Sequence, residues 1–115
     1  MPIKGEDLYE YASELYTLQK VDSEEIVLRQ VSGRAYYGAF LFARDKAGLT
    51  STSADVHKVT SNYWRIRRED VANHLDDLKK KRTEADYQIN GDYDPADAGK
   101  SLKLARKIIT KLSSL

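Results

Sequence analysis

The sequence predicts an all-α fold, a single up-and-down bundle of about five helices forming one domain over residues 1–115. Three observations predict it. Apolar residues recur every three or four positions in successive segments, the helical period, and no segment carries the alternation of a half-buried strand. Breaks interrupt that period at Val21-Asp22-Ser23, at Leu49 to Ser53 and at Asn90-Gly91-Asp92. The length suits one domain with a real but small core, and no repeat or linker divides the chain.

The elements follow in order. The first helix is expected over roughly Glu6 to Lys20, with Leu8, Tyr11, Ala12, Leu15 and Leu18 as its apolar stripe. Asp22 with Glu25 has the capping-box spacing that opens a second helix running to Lys46, and Gly48 suits the residue just past its end. This segment is the most apolar, from Ile26 and Val27 through Val31, Ala35, Tyr36, Tyr37, Ala39, Phe40, Leu41, Phe42 and Ala43. Apolar residues around most of its circumference mark a central helix. Gly33 and Gly38 lie inside it. Each costs ~1 kcal/mol against Ala there, so close approach of another helix is the reason expected for them.

Ser53 can cap a third helix over Ala54 to Arg65, carrying Val56, Val59, Tyr63 and Trp64. A fourth begins near Glu69 or Asp70 and runs to Asn90. No Gly or Pro divides the two, which leaves their separation open. Asp94-Pro95 is an N-cap followed by proline at the first helical position. The last helix then runs to Ser113, with Ala98, Leu102, Ala105, Ile109 and Leu112 in line.

Composition narrows the chemistry. With no cysteine there is no disulfide, thiolate metal site or thiol nucleophile, which fits a cytoplasmic protein. The start, MPIKGEDLYEY, is neither a signal peptide nor a membrane span. A formal net charge of +1 hides an asymmetry: residues 1–28 carry two Lys and seven Asp or Glu, and the remainder carries seventeen Lys or Arg and eleven Asp or Glu. That pattern describes solvated faces of opposite sign, or a basic surface for an anionic partner.

The fourth helix holds the most informative stretch. Val71, Leu75, Leu78, Arg82, Ala85 and Ile89 share one face. Arg82 stands where a Leu would be expected, with Asp86 one turn on and Tyr87 beside it. A guanidinium near a core is costly unless paired, so a carboxylate, a ligand or an interface must meet it.

Three pieces, in order, resemble the HEPN superfamily of small helical nucleotide-binding domains. They are Ser32-Gly33-Arg34-Ala35-Tyr36-Tyr37-Gly38-Ala39-Phe40, then His57 with Val59 and Tyr63-Trp64, then Leu78, Arg82 and Ala85-Asp86-Tyr87. The resemblance covers about residues 5–112. It implies a five-helix HEPN-like domain that forms a homodimer and binds RNA or a nucleotide through Arg82, Asp86, Tyr87, Arg34 and Tyr37. It also implies a cytoplasmic member of a prokaryotic toxin–antitoxin or defence module, with a minimal nucleotidyltransferase as possible partner and no cofactor. Some members are metal-independent ribonucleases, in which an Arg holds the scissile phosphate and a His four to six residues later moves the proton of the ribose 2′-hydroxyl. Here Tyr87 stands where that His would follow Arg82. An upstream set keeps the spacing, Arg67 or Arg68 with His74. Three functions stay open: a binding domain degenerate at the ribonuclease motif, an active ribonuclease, and a module that dimerises and docks a partner.

Other constellations are weaker. His57 and His74 match no compact metal motif, and His57 near a helix start reads as a packing or capping residue. Ser32 and Ser53 have no evident base, and Gly33 and Gly38 form no phosphate loop. Lys79-Lys80-Lys81 is a solvated face or a set of phosphate contacts, with Arg65, Arg67 and Arg68 before it and Lys100, Lys103, Arg106 and Lys107 after it.

A phenol with an unperturbed pKa near ~10 is a poor general base at neutral pH, and a positioned base is worth ~100- to 10,000-fold in rate. The wild-type chain is therefore expected to give no robust cleavage of an RNA pool in chelator, and cleavage gained only in Tyr87→His would support that reading. Wild-type cleavage lost in His74→Ala would instead place the reaction at the upstream set.

Overall fold

The computed structural model describes residues 4–19, 25–49, 55–87 and 95–115, which form an all-α bundle. Its helices are α1 (Gly5–Gln19), α2 (Glu25–Lys46), α3 (Val56–Arg67), α4 (Glu69–Tyr87) and α5 (Pro95–Ser113). The caps expected at Asp22, Ser53 and Asp94, the Asn90-Gly91-Asp92 break, and the side chains of Leu18, Ile26, Tyr87 and Ile89 lie outside the described residues. No described helix is long and apolar enough to cross a membrane.

α2 is the central helix. It packs against all four others, while α1 touches neither α3 nor α4 among the described residues. Leu28, Val31, Ala35, Tyr36, Ala39, Phe40 and Ala43 are all buried on it. Its many alanines keep the helix thin, which is what lets four neighbours reach it. At Gly38 the approach is of backbone on backbone. A Cβ there would lie 2.8 Å from both the Gly5 carbonyl oxygen and the Tyr9 nitrogen, and a Cβ on Gly5 would collide with the Gly38 carbonyl and the Phe42 nitrogen. Gly33 differs. A Cβ there would meet only Asp86 Oδ1, at 3.8 Å, so helix packing does not require that glycine.

The end of α2 is closed by a Schellman motif. Gly48 has φ +73°, the Leu49 amide donates to the Arg44 carbonyl (3.1 Å), and the Gly48 amide donates to that of Asp45 (3.0 Å). Trp64, buried on α3, donates from Nε1 to the Ala43 carbonyl (3.0 Å) and ties α3 to the same end. Between α2 and α5, the buried hydroxyls of Ser32 and Ser101 satisfy each other at 2.8 Å.

α3 and α4 are separate helices. Arg68 breaks the ladder between them with extended φ −145° and ψ 86°. No Gly or Pro is needed, because the charges favour two ends here. Arg65 and Arg67 occupy the last turn of α3, and Glu69 and Asp70 the first turn of α4. Each set complements the partial charge of its helix terminus. Asp70 also accepts the Val71 amide (2.9 Å), Lys111 Nζ of α5 (2.8 Å) and Arg68 (3.3 Å). The bonds from Lys111 first, and then Arg68, hold its carboxyl well below the usual range.

Some registers differ from those expected. α3 starts at Val56, with Asp55 at the N-cap position. It buries Val56, Thr60 and Trp64, while Val59 is exposed, because spacings of four carry the buried line through a threonine. On α5 the fully buried isoleucine is Ile108 and Ile109 is half-buried, since Ser101 and Leu102 share the position facing the core. On α1, Tyr11 is 47% exposed beside a fully buried Ala12.

Helix propensity alone makes Gly38→Ala stabilising by ~1 kcal/mol. Forcing a methyl against backbone costs typically 1–3 kcal/mol and should win. Gly38→Ala should lower the melting temperature, while Gly33→Ala, with room for its methyl, should hold or raise it; thermal unfolding followed by circular dichroism decides.

Candidate functional site

Three helices bring side chains to one cleft. On α2, Tyr36 and Phe40 lie one turn apart, with Tyr37 beside them. On α3, His57 enters near the first turn. On α4, Lys79, Arg82 and Asp86 follow at spacings of three and four, so they share a face.

His57 is the pivot. Its ring stacks on Phe40, with centroids 4.0 Å apart and planes 18° from parallel. Its Nδ1 is hydrogen-bonded to the Tyr36 hydroxyl, and the tautomer decides which of the two donates. Burial pulls its pKa down, and the Lys79 and Arg82 charges push the same way. Burial drives Tyr36 above the ordinary phenol value, with Arg82 opposing. The pair is therefore neutral at pH 7, beside two cations. The same side of the ring opens on a pocket of about 260 Å³ lined also by Lys58, Ser61, Arg65, Asp76 and Lys79. Asp76 is committed there: it accepts from Ser61 Oγ (2.8 Å) and from Arg65, and so joins α3 to α4.

Arg82 does not line that pocket and adjoins it through the Tyr36 ring. Its guanidinium carbon sits 5.1 Å from the Tyr37 ring centre and 6.0 Å from that of Tyr36, within cation–π range. Its Nε is 3.0 Å from Asp86 Oδ2, yet that Nε is buried without a hydrogen-bond partner. The short distance with the N–H aimed elsewhere makes this an ion pair, not a hydrogen bond. Beneath it, Arg29 is only 9% exposed and donates Nη1 to the carbonyls of Ala85 (3.0 Å) and Glu84 (3.3 Å). These bonds satisfy the arginine and tie the last described turn of α4 to α2.

Of the residues singled out in the sequence, the structure brings together Arg82, Asp86 and Tyr37. Arg34 points to α1, where its guanidinium lies 5.0 Å from the Tyr11 ring centre and its buried Nε has no partner. The Tyr87 side chain is outside the described residues. At the upstream set, Arg67 lies 3.8 Å over the Tyr63 ring and donates to the Tyr63 carbonyl (3.2 Å), while Arg68 pairs with Asp70. His74 makes no hydrogen bond, ion pair or ring contact with a described residue. His57, read from the sequence as a packing or capping residue and left out of the candidate site, does stack on Phe40 but also lines the pocket. Its available signal was a lone His at a helix start in a chain whose central helix presents Tyr36 and Phe40 one turn apart.

Among the described residues no group of three His, Cys, Asp or Glu side chains could hold a metal ion. Comparisons of the chain with family models, with curated proteins and with solved structures return no match.

The folded His57 binds a proton less readily than the unfolded one. Its contribution to stability is therefore complete above the unfolded pKa of ~6.5 and is lost as pH falls below it, down to the lowered folded value. Urea midpoints should fall across that window in the wild type and less steeply in His57→Phe; equal slopes would show that His57 is not held neutral.

Proposed function

We propose that this chain is a HEPN-like domain that binds RNA or a nucleotide through the Arg82–His57 cleft without cutting it. The observation that carries the reading is Arg82 itself. It is partly buried, stacked near two tyrosines, and ion-paired with Asp86 through an Nε that makes no hydrogen bond. A phosphate can take its donors in the bidentate manner that guanidinium favours. Tyr37, 38% exposed next to it, offers a face for a base. Lys79 adds a second cation.

The proposal includes self-association and a role in a cytoplasmic prokaryotic toxin–antitoxin or defence module, with a minimal nucleotidyltransferase as partner. The apolar circumference of α2 is largely consumed by its own four neighbours, so a homodimer would use exposed groups such as Tyr11 and Tyr37.

One observation favours a second reading, an active metal-independent ribonuclease. His57 is held towards the neutral imidazole within reach of the Arg82 charge, the state a general base requires.

The test is Arg82→Leu. Replacing one half of a partly buried pair by a shorter apolar residue leaves Asp86, which reaches solvent, free to hydrate. The variant should keep its melting temperature and lose about 10- to 100-fold in affinity for uridine monophosphate or a short RNA, the worth of a charge-assisted hydrogen bond. Unchanged affinity would remove Arg82 from the site. Light scattering on the same samples reads the dimer at tens of micromolar. Wild-type RNA cleavage in chelator that vanishes in His57→Gln would establish the ribonuclease reading.

A further inference from the structure

Lys79 lines both the His57 pocket and a shallow depression across α4 that also takes Lys80, Thr83 and Glu84. Lys80 and Glu84 in turn line a groove of about 450 Å³ between α4 and α5, where Lys81, Lys100, Lys103 and Lys107 converge. Lys103 and Lys107 continue into a further depression with Arg106 and Lys111. The depressions share their lysines, so they form one path. It starts on the α3 side of α4 and ends on its α5 side.

None of Lys79, Lys80, Lys81, Lys100, Lys103 and Lys107 makes an ion pair with a described residue. The acids along the path, Asp76, Asp77 and Glu84, are too few to neutralise it, and Asp76 is already bonded to Ser61 and Arg65. Like charges gathered without partners repel, which leaves the groove suited to an anion that visits it. Lys111, at the far end, is paired with Asp70, and the unpaired span from Lys100 to Lys107 covers ~11 Å of helix, more than one phosphate occupies.

We propose that this lysine path is a binding track for single-stranded RNA, continuing from the His57 pocket beside Arg82 over α4 and along α5. The shape selects the ligand. A path that bends around a helix cannot lie flat on a lipid surface, and it is poorly met by a stiff duplex. A single strand follows it, with its phosphates placed by lysines that carry no base information. The track rests on the reading of the cleft as a nucleotide site and specifies a polymer as its ligand.

The test compares uridine monophosphate with an oligouridylate of about fifteen nucleotides, within the range such surfaces bind. Wild type, Arg82→Leu and the triple variant Lys80→Gln/Lys103→Gln/Lys107→Gln are titrated over a salt series. All three lysines are exposed, and circular dichroism checks the fold. The triple variant should keep mononucleotide affinity and lose oligomer affinity about tenfold, with a log–log salt slope shallower by ~2, which is ~0.7 for each of three phosphates. Glu84→Gln provides a second arm and should tighten oligomer binding. A triple variant that binds the oligomer as the wild type does, with the same slope, overturns the track. So does a wild type that holds the oligomer no more tightly than the mononucleotide, which leaves the cleft reading intact. Oligomer binding lost in the triple variant but untouched by Arg82→Leu keeps the track and removes the cleft. Wild-type binding to phosphatidylserine vesicles without binding to the oligomer also overturns it.

Discussion

A helix surrounded on four sides leaves little tolerance in its own side chains. α2 meets that constraint by being small where neighbours are close and large where they leave room. Gly38 admits the backbone of α1 at Gly5 and Tyr9. Ser32 faces Ser101 of α5, two small hydroxyls that satisfy each other where a larger polar group would remain unpaired. Ala35, Ala39 and Ala43 are fully buried. The large residues, Tyr36 and Phe40, are left for the side where α3 and α4 meet, and there they build the wall of the cleft.

The cleft depends on this arrangement. The Trp64 bond to the Ala43 carbonyl ties α3 to the end of α2 and helps to place His57 on Phe40. Arg29 of α2 bonds the Ala85 carbonyl of α4, on the same helix that carries Arg82 to the tyrosines. Two arginines on opposite sides of one helix contact thus do different work. Arg29 donates to fixed backbone carbonyls and is structural. Arg82 is ion-paired with the half-exposed Asp86 through an Nε that is buried and makes no hydrogen bond.

The electrostatics point the same way. Cations gather at the cleft and along α4 and α5, while the acids near them are committed or few: Asp76 to Ser61 and Arg65, Asp70 to Lys111 and Arg68, Asp86 to Arg82. An imidazole kept neutral by burial and by two positive neighbours would be relieved by an anion, since a bound phosphate opposes the Lys79 and Arg82 charges.

The sequence by itself determined the all-α class, the central helix, the glycine at the end of α2, and the odd position of Arg82 on an apolar face. These follow from period, local backbone preference and the cost of burying charge, all of which act over a few residues. The split between α3 and α4 was also written there, in the reversal from Arg65 and Arg67 to Glu69 and Asp70, but as charge and not as the Gly or Pro that usually marks a break. The tertiary structure alone decided the rest. That Ile108 and not Ile109 is fully buried depends on how far α5 is rotated about its axis, which packing against α2 and α4 sets. That Arg29 is structural, and that His57 and not His74 joins the aromatic cleft, depends on contacts between residues 21 to 56 positions apart. Periodicity carries no information about such pairs, because helix propensity and amphipathic pattern report the environment of a side chain and not the identity of the group across from it.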